Sequence, residues 1–474
     1  MKNPFKTFTE FYKAGSKENA FRLDGAVPLG TALPFGVQHL LALFVSNITP
    51  ILIVLGGGTM MGLSEAVFDN AVRGAIFIAG LATLINLFPI WRIGARLPIY
   101  AGTSFIFMGV LALIGASYGL GAMYLSIIIG GLLAGVVGLF AHKWSKFVKP
   151  VVASVTVIAL GISLIETGVK NFFSFNTPGI IVNGHYDFGY AWPFLLVAAL
   201  TLITVFLWET FVKGFWKNLS LLAGLFVGYV VSLCFIPYNN MVDFSGFSFN
   251  SVTDFINVPL PYFTLVPVAW TDFQIGPILT VFIVYIAAMS CDLGAASSLC
   301  EGGLSRPIEC KELAGTLSVN GFASALGGFF GAMPLCVYAQ NVGIVTQTKV
   351  VNRFALSTGA ILLILSSLFP PVSRFLQTIP EPVVGGMMLL LFVSICVGGF
   401  SMLKNIGFTK KNIVIVAISI LVSFGIYVAI EIIEPRYDVE ALNYLVLLLG
   451  NPVAIAFLIA LILSFIIPEK KKAE

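Results

Sequence analysis

The chain predicts an all-α integral membrane protein of about fourteen transmembrane segments, arranged as two inverted repeats of seven. Three observations carry that prediction. Of 474 residues, 58% are hydrophobic and only 10% are charged, with a mean hydropathy of +0.98, whereas soluble domains run near ~25% charged. Apolar runs of about 20 residues, enough to cross a bilayer, recur from Gly30 to Ile467. The basic residues then sort to one side of the resulting map.

The spans fall at 30–55, 73–91, 97–115, 119–141, 150–168, 190–210, 218–236, 273–299, 313–333, 335–350, 354–370, 382–403, 411–431 and 447–467. The third and tenth are short or broken. With these spans, 22 of the 26 Lys and Arg lie on the cytoplasmic side; only Arg73, Lys170, Arg374 and Arg436 lie outside. The positive-inside rule therefore puts both termini in the cytoplasm, and a single miscounted span would scramble the split. The net charge of +4 belongs to these loops and implies no nucleic-acid partner. No cleavable leader is expected, because 29 mostly polar residues precede a first span too long for an h-region. The charge pattern fits a cell (inner) membrane.

Other function classes find little support. The six cysteines (Cys234, Cys291, Cys300, Cys310, Cys336, Cys396) form no CxxC pair and lie mostly in or beside spans, as small apolar residues do. No Ser/His/acid set, metal-ligand cluster or phosphate loop is present, and His39, His142 and His185 are widely scattered. Neither an enzyme nor a cofactor or metal site is expected.

The chain divides near residue 237 with seven spans on each side, and an odd number per half inverts one half relative to the other. The third span contains Arg96-Leu97-Pro98-Ile99-Tyr100-Ala101-Gly102-Thr103-Ser104-Phe105. Its counterpart, the tenth, contains Met333-Pro334-Leu335-Cys336-Val337-Tyr338-Ala339-Gln340-Asn341. Each reads as a proline, a short extended run ending in a small residue, then polar groups. Paired interruptions at corresponding positions point to a transporter's midplane site. Irregular backbone survives at that depth only where it is packed in protein or lines a wet cavity. Gln340 and Asn341 carry both donors and acceptors, which suits a planar heterocycle edged with N–H and C=O groups.

An acid inside a span costs several kcal/mol and needs a reason. Asp292 is the one acid placed deep in a helix; Glu166 and Glu209 fall near span ends. Asp292 is either a structural partner for a nearby donor, or a substrate acceptor and proton or cation site. His39, beside Gln38, is either a structural bridge between helices or a substrate contact.

Gln340-Asn341-x-Gly343, followed by Thr348-Lys349, resembles the signature of the nucleobase–ascorbate transporter family, also called nucleobase–cation symporter family 2 (the xanthine/uracil permeases). Gln38-His39 resembles the family's first-span pair, and Gly102-Thr103-Ser104-Phe105 its third-span half-strand. Asn352-Arg353 resembles the Ser-Arg after the signature, and Ile379-Pro380-Glu381-Pro382 the opening of the twelfth span. The resemblance implies short strands in spans 3 and 10 that cross between two helix N-termini. It implies a core domain built from residues 30–145 (spans 1–4) and 271–375 (spans 8–11). A gate domain would comprise 146–270 (spans 5–7) and 376–467 (spans 12–14), between a cytoplasmic segment 1–29 and a tail 468–474. The core would slide elevator-like against the gate, and the gate would make a homodimer.

On that pattern the substrate site comprises Gln340, Asn341, Asp292, Gly102, Ser104 and Phe105, coupling falls to Asp292 and His39, and Gln38, Gly343, Thr348 and Arg353 are motif residues. Gln at 340 is typical of family members that carry xanthine or urate. Two positions depart from the pattern: Ala288 stands where the family's eighth-span Glu is usual, and Asn320 where the ninth-span Asp is usual. The leading expectation is proton symport of an oxopurine. A uracil or other planar-ring carrier with sodium or no ion coupling, and an anion exchanger or channel on the same architecture, stay open.

Overall fold

A computed structural model describes residues 15–56, 65–175, 177–182, 184–235, 241–242, 244, 255–261, 269–433 and 449–467. The first fourteen residues, the tail, most of the loop 238–271 and Arg436 lie outside the described residues. Helix dominates. In the first half come α1 (Leu29–Gly56), α2 (Glu65–Leu87), strand β1 (Ala101–Thr103), α3 (Met108–Leu139), α4 (Pro150–Ser163), α5 (Ile165–Phe172), α6 (Phe188–Phe211) and α7 (Ser220–Leu233). The second half holds α8 (Ile275–Leu304), α9 (Cys310–Phe329), strand β2 (Leu335–Val337), α10 (Ala339–Thr348), α11 (Arg353–Ser367), α12 (Pro370–Gln377), α13 (Glu381–Ile406), α14 (Lys410–Ile433) and α15 (Pro452–Ile466). Two long helices, a strand and a further helix thus open each half.

Among the described residues, eight helices are individually long and apolar enough to cross a membrane, and α11 with α12, bent by 80°, pass the same test together. Helix starts follow ordinary capping rules. Asp187, Asn352 and Asn451 accept from first-turn amides, and proline occupies the first turn of α4, α12, α13 and α15, where its missing N–H costs nothing. The break between the third and fourth predicted spans is Gly119, at φ 84° and ψ 168° inside α3, a conformation that glycine adopts without Cβ strain.

One boundary differs informatively. The second helix starts at Glu65, not at residue 73, so Asp69 and Arg73 both lie inside it. Arg73 Nε donates to Asp69 Oδ2 at 2.9 Å, Nη1 donates to the Asn257 carbonyl at 3.0 Å, and the Ser373 hydroxyl closes on Asp69 Oδ1. Hydropathy rejects each charge singly, whereas an i,i+4 ion pair with satisfied hydrogen bonds is tolerated. Asp69 is thus a second buried acid within a span-length helix, one turn from its start.

The helices pack in two groups. In one, α3 lies against α8 and α9, α11 against α1 and α2, and α9 against α2. In the other, α13 lies against α4, α5, α6 and α7, and α15 against α4 and α14. The α3–α9 seam is built on small residues: a Cβ on Gly321 would sit 2.2 Å from the Gly135 amide nitrogen. Close backbone approach is how helices associate where lipid removes the hydrophobic drive.

Candidate functional site

Strands β1 and β2 meet antiparallel in the first packing group, with Gly102 opposite Cys336. Three-residue strands leave most of their backbone groups unpaired, and at this depth each needs a partner. The flanking helices supply them in a repeated pattern. Ala101 N donates to Thr83 Oγ1 of α2 at 3.1 Å, and Thr103 N to Asn47 Oδ1 of α1 at 2.7 Å. Correspondingly, Leu335 N donates to Ser324 Oγ of α9 at 2.8 Å, and Val337 N to Asp292 Oδ1 of α8 at 2.7 Å. Asp292 and Asn47 are thus counterparts: each braces the third residue of a strand from the first helix of its half. Gly102 serves this crossing, because a Cβ there would lie 2.6 Å from the Tyr338 ring and 2.9 Å from Asn47 Oδ1.

A cavity of about 710 Å³ opens beside the strands, within the usual size of a small-molecule site. It brings together Ser104 and Phe105 after β1, Ala288 and Asp292 of α8, and Gln340 and Gly343 of α10. Phe105 packs edge-on against Phe392 of α13 with centroids 5.9 Å apart, which places an aromatic wall between the two packing groups. Gly343 has nothing within 4 Å of where a Cβ would sit, so glycine there keeps the cavity wide. Asp292 Oδ2 accepts from Asn320 Nδ2 at 2.7 Å. With Oδ1 held by Val337, each carboxylate oxygen has one protein donor and one lone-pair direction left. The first turn of α10 adds backbone N–H groups with no intrahelical partner. Ala288 lines the same cavity one turn before Asp292, so the departure from the family pattern falls inside the site.

The other predicted residues lie elsewhere. Asn341 is buried away from the cavity lining, its Nδ2 within 3.0 Å of His39 Nδ1 and donating to the His39 carbonyl at 3.1 Å. His39 stacks on Tyr100, centroids 4.7 Å apart and rings 8° from parallel. This set ties α1 to α10 through Asn341 and His39. Gln38 is buried beside it. Thr348 bonds the Ile344 carbonyl at the end of α10, and Lys349, at φ 58°, terminates that helix. Arg353 reaches the N-terminal segment: its guanidinium pairs with Asp24 and donates to the Leu87 carbonyl at 2.6 Å. The signature's second half is therefore a helix stop and a clasp.

Among the lining residues that sequence reading did not assign to the site are Glu209, Lys217 and Ser220. Ser220 Oγ donates to Glu209 Oε1 at 3.1 Å. They come from the end of α6, the turn before α7 and the first residue of α7, and Glu209's place near a span end was a signal in the sequence.

A family model, Xan_ur_permease, described as a permease family, matches residues 30–432. The xanthine permease of Bacillus subtilis (strain 168) is 30% identical over 448 residues, covering 94% of this chain and 95% of the relative. The uric acid permease PucJ of the same organism is 29% identical over 396 residues, covering 82% and 83%. The transmembrane domain of a cyanobacterium bicarbonate transporter, BicA, superposes with a TM-score of 0.55 at 15% identity, covering 92% of this chain and 96% of that one. That likeness concerns the fold alone.

Proposed function

The chain belongs to this permease family and is an integral membrane protein, and on that premise we propose that it takes up an oxopurine such as xanthine or urate by proton symport. The observation that carries the reading is the convergence of Gln340, Asp292 and the residues ending β1 on one cavity. Gln340 offers a donor and an acceptor to a purine edge, Asp292 adds an acceptor, and Phe105 gives a ring to stack on. The relatives named for xanthine and uric acid support the substrate class.

The first packing group is the core that carries the site, and the second is the gate. Elevator motion is supported by the sparse polar bonding between them, such as Ser290 Oγ to Thr156 Oγ1 at 3.1 Å from α8 to α4. The gate also presents apolar side chains outward, Phe206 and Leu421 among them, a face for lipid or for a second copy in a homodimer. Both termini are cytoplasmic in an inner membrane on this reading.

A second reading has its own observation. Ala288 removes a carboxylate from the cavity, which weakens the case for proton coupling and supports a carrier of uracil or another planar ring with sodium or no ion coupling, or an anion exchanger or channel using the helix N-termini. Uptake of labelled xanthine into cells without their own purine carriers, with and without a protonophore, separates them. Accumulation abolished by the protonophore supports symport. Transport that ignores it supports the second reading, and no xanthine transport sinks the oxopurine assignment.

A further inference from the structure

We propose that Asn320 is a two-way hydrogen-bond partner of Asp292, donating to the charged carboxylate and accepting from the protonated one, so that Asp292 exchanges a proton without releasing strand β2. The inference rests on the proton-coupled reading of the site and names the device that makes such coupling tolerable.

The first support is the symmetry of the strand braces. Asn47 holds Thr103 with a neutral amide oxygen, while its counterpart Asp292 holds Val337 with a carboxylate oxygen. Bracing a strand therefore needs an acceptor and no charge. The charge at 292 calls for a second explanation, and the Asp292 side chain borders the cavity from which a proton would come.

The second support is an unspent atom. Asn320 donates Nδ2–H to Asp292 Oδ2 at 2.7 Å, but its Oδ1 is buried without a hydrogen-bond partner. A buried acceptor left unpaired is costly, and a second state in which it accepts from Asp292 would use it. When Oδ2 takes a proton it turns from acceptor to donor and would face the Asn320 N–H head-on. Half a turn of the Asn320 amide breaks Nδ2–H···Oδ2 and forms Oδ2–H···Oδ1 in its place. Asp292 Oδ1 keeps the Val337 N–H throughout. An aspartate at 320 would instead compete for the same proton, since adjacent carboxylates share one.

Among the described residues, the charged groups that share the cavity with Asp292 are Glu209 and Lys217, from the end of α6 and the turn before α7. The titratable groups in electrostatic contact with Asp292 are the thiols of Cys291 on its own helix and Cys336 on β2. On α9, Lys311 and Glu312 lie in the first turn, and Glu312 is held by Arg306. The α3, α4 and α10 segments packed on α8 contribute no Asp, Glu, Lys or Arg.

Infrared difference spectra of the purified full chain in lipid, acid minus alkaline, test this directly. The expected result is a protonated-carboxyl stretch on acidification that is absent in Asp292→Asn and moves to higher wavenumber in Asn320→Ala, where the proton has lost its acceptor. An unmoved band in Asn320→Ala, or no Asp292 band at any pH, would overturn the proposal. Should Asn320→Ala fail to fold, wild-type protein with isotope-labelled asparagine gives the same answer. One asparagine amide band must shift in step with the Asp292 band, and a static amide band rejects the two-way role. Failure to carry xanthine leaves these bands untouched, so the substrate reading and this one fail separately.

Discussion

Asp292 combines two jobs that the counterpart half keeps apart. Because Asn47 performs the bracing with an amide, Asp292→Asn retains the acceptor for Val337 and is expected to fold as the wild type does. The same variant cannot take up a proton at 292. Concentrative uptake should be lost while substrate exchange across the membrane persists; full accumulation in Asp292→Asn would remove this residue from coupling. Gln340 tests the other half of the site. Gln340→Glu replaces a donor-and-acceptor with an acceptor and costs a hydrogen bond worth about 1–3 kcal/mol, on the order of 5- to 150-fold in apparent xanthine affinity. Competition assays with a panel of bases should show that loss, and an unchanged profile would take Gln340 out of contact with substrate.

The elements around the site are positioned by close approach as much as by hydrogen bonds. Helix α10 is ten residues long, about 15 Å, roughly half the hydrocarbon thickness. A helix that short reaches the midplane only because β2 continues it, and β2 is held by Ser324 and Asp292 from its neighbours. The α3–α9 seam fixes Ser324 in turn. Gly321→Val would drive a side chain into the Gly135 backbone, which cannot swing aside as a flexible side chain can. Overpacking of this kind costs about 1–3 kcal/mol. The expected outcome is a lower thermal midpoint in detergent with weakened substrate binding, and a variant as stable as wild type would mean that the seam yields more readily than its geometry implies.

Across the whole molecule, the segment before α1 is clasped to the far end of the signature region. Asn352 Nδ2 reaches the carbonyls of Asn19, Arg22 and Gly25, while Arg353 and the exposed Arg96 both pair with Asp24. The hydrogen bond from Arg353, reinforced by the charges of Arg353 and Arg96, lowers the Asp24 pKa below its ordinary value, against a smaller opposing effect of burial. A depressed folded-state pKa contributes stability that is complete above the unfolded value and is lost as pH falls through the folded one. The clasp should therefore hold at neutral pH and loosen below the ordinary aspartate range. Hydrogen exchange in residues 15–28 should rise on acidification in the wild type. Asp24→Asn should show fast exchange already at neutral pH; equal protection in both proteins would leave the ion pair without a role.

Much of this protein was legible from its residues in order. Apolar runs and the paired interruptions near Gly102 and Gln340 are local properties, so they located most helices and the broken spans; Asp292 stood out as an acid inside a span, and the strands with Ser104 and Phe105 came from the family resemblance. Charge counting failed where two charges cancel: Asp69 and Arg73 read as a boundary because their pairing is visible only in three dimensions. Tertiary structure alone decided which signature residues face the cavity. Gln340 and Asn341 are adjacent in sequence, yet a helix turns neighbours about 100° apart, sending one to the cavity and the other to His39. It also decided that Glu209, more than eighty residues away from Asp292, lines the same space. Above all, the equivalence of Asn47 and Asp292 has no trace in their immediate sequence. It arises because the two halves cross, and each strand must find its missing acceptor on whichever helix the crossing brings within reach.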